Sequence, residues 1–239
     1  MKKFTYYIAA LMISGATAFT SCDEEDTDND GTEISTDTNK ETSDNNTPSA
    51  PASADGFSDD EKAKANTASN AKMNQVDKDI IYYCNLARLD GEKFWTNIAK
   101  PYIKKSTSYT QSLEKDLKEI KGLAMMKADQ GLYNAAKYHA EDMNAQNYFE
   151  HDSKDGTPCF DRIKKYYSGF ACNENIAAGN SKALDIVMQW LVDEGVAKLG
   201  HRKAILSAQC KAVGIYTCKH PSWRYCSVMD FGTEVKEAM

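Results

Sequence analysis

The chain has 239 residues, 41% of them hydrophobic, which fits one domain with appendages or two small domains. Its formal net charge of −6 is unevenly placed: residues 23–60 hold thirteen acidic side chains and one lysine, while residues 61–239 hold 26 Lys and Arg against 22 Asp and Glu. So small a positive excess, with no basic cluster aligned with aromatics, gives no basis for a nucleic-acid partner.

The first element is an export signal. Met1-Lys2-Lys3 supplies a positive end, and Tyr6 to Phe19 is an apolar stretch with Ile8, Leu11, Met12 and Ile13. It is shorter and more interrupted than the roughly 20 apolar residues that span a membrane. Ala18-Phe19-Thr20-Ser21-Cys22, followed at once by Asp23-Glu24-Glu25-Asp26, resembles a bacterial lipoprotein signal, with Phe19 where leucine is usual. Residues 1–21 are then the signal peptide and Cys22 the lipidated first residue, which makes the membrane of a bacterial cell envelope the first partner, on its periplasmic or extracellular face. The alternative is a plain secretory leader cut near Ala18. Residues 22–72 are rich in Asp, Glu, Thr, Asn, Ser, Ala and Pro, with Ile34 and Phe57 the only large apolar residues between Asp23 and Asn70. So little to bury cannot offset the entropy of ordering a backbone, and the segment is expected to be a disordered acidic tether.

The folded domain is expected over residues 73–239. Val76, Ile80, Ile81, Cys84 and Leu86 recur at helical spacing, so residues 74–89 read as an amphipathic helix stopped by Asp90-Gly91. Shorter helices are expected over 92–99 and 112–120. A clearer one runs from Asp129 to Asn144, with Leu132, Ala135, Ala136, His139, Ala140 and Met143 on one face. A polar loop over 150–158 leads to a short helix at 160–167. Ser181 is placed to cap a helix over 182–194, with Ile186, Val187, Trp190 and Leu191 buried. A helical turn follows at 201–206. The period then changes to two, and residues 212–216 and 225–231 read as strands around a turn at Pro221.

Beyond Cys22, the cysteines are Cys84, Cys159, Cys172, Cys210, Cys218 and Cys226. An even number in an exported chain favours disulfides, and no close Cys-x-x-Cys pair suggests a metal knuckle. The expected pairs are Cys159–Cys172, closing a short loop, and Cys218–Cys226, across the hairpin turn, which leaves Cys84–Cys210 by subtraction.

Four segments carry imidazoles and carboxylates: Glu150-His151-Asp152, Asn173-Glu174-Asn175, Asp193-Glu194 and Gly200-His201-Arg202. Spacing alone does not bring them together, and each can be an ordinary polar loop. His139 reads as a hydrogen-bonded core histidine or a cleft liner. His220 is expected to be exposed in the hairpin turn, and Arg162 to pair with a carboxylate or support the loop after His151. No serine is set up as a nucleophile.

The ordered set Ala140-Glu141-Asp142-Met143, Tyr148-Phe149-Glu150-His151, Asn173-Glu174-Asn175-Ile176-Ala177, Gln189-Trp190 and Gly200-His201-Arg202-Lys203-Ala204-Ile205-Leu206 resembles successive signatures of the CAP superfamily, the SCP-like cysteine-rich secretory proteins, in its bacterial branch. The closing Val213-Gly214-Ile215 and Asp230-Phe231-Gly232 match it too. The resemblance implies an α+β fold, a three-layer α-β-α sandwich with a small antiparallel sheet. It also implies a cleft in which His151, Glu174, Asp193 and His201 take the family's two histidine and two acidic positions. Asp193 stands where glutamate is more usual, with Glu194 one step away, and Asn173 replaces the family's glycine. Two imidazoles and two carboxylates suit a divalent ion such as Zn2+, although the same groups can form a hydrogen-bonded network alone. The resemblance favours a surface-displayed binding or interaction module for a peptide, lipid or protein ligand. A metal-assisted hydrolase or peptidase and a structural envelope protein with a vestigial cleft are the alternatives. His-Glu-x-x-His is absent from the sequence.

Overall fold

The computed structural model describes residues 56–239. The expected signal peptide, Cys22 and the expected tether up to residue 55 lie outside the described residues. Helices precede and flank a four-stranded sheet. α1 (Asp59–Ala65) starts on a capping box in which Ser58 accepts from the Glu61 N–H and the Glu61 carboxylate accepts from the Ser58 N–H. α2 (Gln75–Leu89) buries Ile80, Ile81, Cys84 and Leu86. α3 (Gly91–Phe94) runs through a π-helical turn (Trp95–Ala99) into α4 (Lys100–Tyr102), which carries Pro101. α5 (Ser108–Glu119) follows its own capping box at Thr107.

Strand β1 (Lys127–Ala128) leads into α6 (Gln130–Gln146), capped by Asp129. α7 (Cys159–Lys164), β2 (Ala171–Ala178), α8 (Ala183–Val192) and α9 (Gly200–Ile205) follow. β3 (Ala212–His220) and β4 (Arg224–Gly232) close the chain as a hairpin. The strand order is β1-β3-β4-β2. β2 and β3 both run antiparallel to β4, and β1 pairs with β3 in parallel, so the sheet is mixed rather than purely antiparallel.

Alternation along the strands assigns two faces. Ile176, Cys226 and Val228 pack with Ala136, Ala140 and Met143 of α6. Val213, Ile215, Met229 and Phe231 join the cluster that holds α2, α8 and α9. The result is the expected α-β-α sandwich. Contact between α6 and β3 is close enough to require Gly214, since a Cβ there would lie 2.0 Å from the backbone of Leu132 and Tyr133.

Three expectations need correction. Residues 56–72, assigned by composition to the tether, belong to the fold. Phe57 is 4% exposed, and Ala65, Ala68 and Ala71 lie in the main core. A count of large apolar residues overlooks alanines whose small size lets a segment sit close. Asn85 then ties it to the chain before β1, donating to Ala65 O at 3.0 Å and Met126 O at 3.0 Å. Residues 171–178 form a strand that periodicity did not reveal, because Glu174 to Ala177 are all buried and no alternation survives. Ser181 does not cap α8, whose N-cap position is Lys182 with no side-chain cap.

The cysteines also depart from the expected pairing. Among the described residues no two cysteine sulfurs lie at bonding distance. Cys218 and Cys226 oppose each other on β3 and β4 with sulfurs 3.6 Å apart. Cys172, however, faces Cys210 at 3.0 Å, while Cys159 is approached by Arg162 and Cys84 is fully buried. Loop length does not reveal which strand end faces which loop.

Phe57→Ala is expected to destabilise the domain by about 3 kcal/mol in urea denaturation, the usual cost of truncating a buried phenylalanine. A cost near zero would return residues 56–72 to the tether.

Candidate functional site

Strand β2 organises the candidate residues. Its neighbouring residues Glu174 and Asn175 point to opposite faces of the sheet, as alternation demands. Glu174 faces α6 and α7, and its side chain is 1% exposed. It accepts from His151 Nδ1 at 2.8 Å through one oxygen and from Arg162 Nη2 through the other. Asn175 faces α9 and donates to the carbonyl of His201 at 3.1 Å.

His151 lies in the loop after α6, which ends with Asn147 in the left-handed conformation. Two anchors hold this loop. His139, buried on α6, pairs through Nε2 with the Glu150 carbonyl at 2.9 Å, and Arg162 on α7 donates to the His151 carbonyl at 2.7 Å. Asp152 accepts from the Cys159 N–H at 3.0 Å, joining the loop to the start of α7. Arg162 therefore does both things expected of it: it pairs with a carboxylate and supports the loop.

The second pair has a different origin. α8 ends at Asp193 in the left-handed conformation, φ 57°, a region that a short polar side chain tolerates better than most. Its buried carboxylate accepts from the backbone N–H of His201 at 3.0 Å and of Arg202 at 3.3 Å, and from His201 Nδ1 at 2.7 Å. The short aspartate side chain reaches these donors directly from the left-handed turn. Arg202, 1% exposed, donates to the Leu191 and Val192 carbonyls at the end of α8, to Tyr109 O, and to Ser112 and Asp116 of α5. The α8–α9 corner is thus held by one buried guanidinium. Glu194, the alternative to Asp193, does not join the pair; it lines a separate concavity of about 680 Å³ with Tyr102, Ile103 and Thr107.

The four candidate residues therefore form two histidine–carboxylate dyads, His151–Glu174 and His201–Asp193. In each, the carboxylate side chain is 1% exposed and the imidazole opens to solvent, 37% for His151 and 22% for His201. With Nδ1–H donating to the acid, the neutral imidazole keeps its lone pair on Nε2. The expected four-ligand metal site does not fit this donor set. Both oxygens of each carboxylate already accept strong hydrogen bonds, and among the described residues no group of three or more His, Cys, Asp or Glu is placed to hold a metal. The carboxylates orient imidazoles, as acids behind ligating histidines do.

Sequence reasoning missed Asp230. It opposes Glu174 in the β2–β4 register and is fully buried. Burial, and then the charge of Glu174, push its carboxyl well above the usual range. Neither of its oxygens has a hydrogen-bond partner of ordinary geometry, and burial beside Glu174 favours its neutral form. Glu174 itself is pulled the other way: burial would raise it, but the His151 hydrogen bond and the Arg162 charge hold it at about 2. Burial lowers His139 and keeps it neutral. His220 is buried rather than exposed, paired through Nε2 with Tyr148 O at 2.9 Å, and it serves the hairpin turn.

The model of the cysteine-rich secretory protein family, CAP, matches residues 84–231. The uncharacterized protein YkwD of Bacillus subtilis (strain 168) is 30% identical over 99 residues, covering 41% of this chain and 37% of that protein. The uncharacterized membrane protein YlbC of the same organism is 36% identical over 95 residues, covering 39% of this chain and 26% of its own length. The match thus spans well under half the length of either relative. Among solved structures, an outer surface protein from Borrelia burgdorferi aligns with 55% of this chain and 90% of its own, at 24% identity and a TM-score of 0.40. An extracellular SCP-domain protein from Bacillus anthracis aligns with 46% of this chain and 34% of its own, at 30% identity and a TM-score of 0.38.

The two buried acids have opposite pH signatures. Glu174, depressed in the fold from 4.5 to about 2, contributes stability that is lost as pH falls through that window. Asp230, raised above 3.8, withdraws stability as pH rises past that value. Asp230→Asn, which keeps the size of the side chain and removes its titration, is expected to stabilise the domain at about pH 7.5 and change little at about pH 3. Equal urea midpoint shifts at both pH values would show that Asp230 does not carry the proton.

Proposed function

This chain belongs to the cysteine-rich secretory protein family, and on that premise we propose that its domain is an extracellular binding module whose ligand-contacting groups are His151 and His201. The observation that carries the reading is the division of each dyad into a buried acid and an open imidazole. A fixed Nε2 lone pair accepts a ligand N–H or O–H, coordinates a cation supplied with its own remaining ligands, and becomes a donor once protonated. Among the described residues, neither imidazole is hydrogen-bonded to a serine, threonine or cysteine side chain, which favours binding over nucleophilic catalysis. Peptide, lipid and protein ligands all fit this chemistry.

Metal-assisted or general-base hydrolysis is the second reading, because an acid behind an imidazole is also the arrangement of a general base. The dyads would then activate water directly. An envelope location completes the proposal, with lipid on Cys22 as the membrane attachment.

Zinc is a convenient probe of the open nitrogens. In calorimetric titration of the chelator-treated full chain, Zn2+ binding is expected to be weakened in His151→Ala and in His201→Ala, each of which removes one open nitrogen, and weakened roughly 10–100-fold in Glu174→Gln or Asp193→Asn. Zinc binding that ignores both histidine substitutions would remove the imidazoles from the ligand-contact role, and cleavage of a peptide library abolished by the same substitutions would establish the hydrolase. Cys22→Ser is expected to move the protein from the membrane pellet to the soluble fraction and to abolish incorporation of a labelled fatty acid; labelled Cys22→Ser protein would place the anchor elsewhere.

A further inference from the structure

We propose that Cys172 and Cys210 form a disulfide that ties strand β2 to the segment after α9 and encloses Glu174, Asp193 and His201 within one covalent loop. Their sulfurs are 3.0 Å apart and 38 residues apart in sequence. That approach is about an ångström longer than a sulfur–sulfur bond of about 2.05 Å.

The local structure brings the pair together. Pairing between β2 and β4 shifts register between Ala171 and Asn173, so Cys172 is the extra residue of a bulge. A bulge re-aims the side chain of its unpaired residue. Glu174, two residues on, returns to register opposite Asp230. Cys210 comes from a segment fixed by buried Arg88, which donates to the carbonyls of Ile205 at 2.6 Å, Ser207 at 2.8 Å and Cys210 at 2.9 Å. The two sulfurs also differ in access: Cys172 is partly exposed and Cys210 is 2% exposed.

That asymmetry orders the chemistry. The oxidant is a disulfide, carried by a protein donor or a small molecule of an oxidising compartment. The Cys172 thiolate, having released its proton, attacks a donor sulfur; the donor S–S bond breaks, and one donor thiol leaves as a mixed disulfide forms. Cys210, deprotonated in turn, attacks the Cys172 sulfur and expels the second donor thiol. The cysteines lose two electrons and two protons together, and the donor disulfide is reduced to two thiols. Cys159, expected from loop length to be the partner of Cys172, instead stays beside Arg162 as a thiol.

The crosslink joins the strand that holds Glu174 to the polypeptide that follows His201. It acts on the candidate site through position, without touching a ligand, and it does not depend on what the site binds. Non-reducing peptide mapping of the full exported chain, alkylated during lysis, is the test. The expected product is a linked Cys172–Cys210 peptide pair, with Cys159 alkylated. Cys172→Ser and Cys210→Ser should each lower the melting temperature by roughly 5–15 °C, and together by no more than either alone. Alkylation of both Cys172 and Cys210, or a Cys159–Cys172 link, overturns the proposal even if neither serine variant folds.

Discussion

The ion pair between Glu174 and Arg162 is the constraint around which the candidate site is arranged. Both side chains are 0–1% exposed, and a carboxylate that deep requires a counter-charge and filled hydrogen-bonding positions. Arg162 supplies the charge, and in doing so fixes α7 against β2. Its other amino group reaches the His151 carbonyl, so the same guanidinium sets the loop that presents the imidazole. With one net negative charge already matched, Asp230 has no cation of its own, and burial beside Glu174 favours its protonated form. His139, on the same side of the sheet, is neutral for the related reason that burial disfavours its charged form.

The second dyad reaches a similar arrangement by different means. Asp193 has no buried arginine on its carboxylate; two backbone N–H groups and His201 Nδ1 satisfy it. Arg202 neutralises the end of α8 instead, binding its last carbonyls. One imidazole is thus held by an ion pair inside the sandwich and the other by a helix corner. Both rest on adjacent residues of β2, and both hold an acid out of water so that the imidazole is the group presented.

Much of the fold was legible in the sequence. The helices over 75–89 and 130–146 were read from apolar spacing, and the β3–β4 hairpin from period two around Pro221. β2 was not, since a strand buried through Glu174–Ala177 loses its alternation, and residues 56–72 were hidden by their reliance on alanine. The site residues were found through the resemblance rather than from spacing, since His151 and Glu174 meet across a loop, a helix and a strand. Their division into pairs was not legible at all. It depends on which oxygen Arg162 occupies and on the left-handed turn at Asp193. Asp230 looked like one polar residue within a strand, and only register with Glu174 gives it meaning.

The alternation of β2 has a genetic consequence. Because Glu174 and Asn175 serve opposite faces, changing the length by one residue between the bulge and Glu174 would misplace both: a loss would set an amide against Arg162, and a gain would drive a carboxylate against the His201 carbonyl. The segment therefore tolerates exchange of side chains far better than change of length, and related chains should differ here by substitution, with insertions and deletions confined to the turns at either end of the strand.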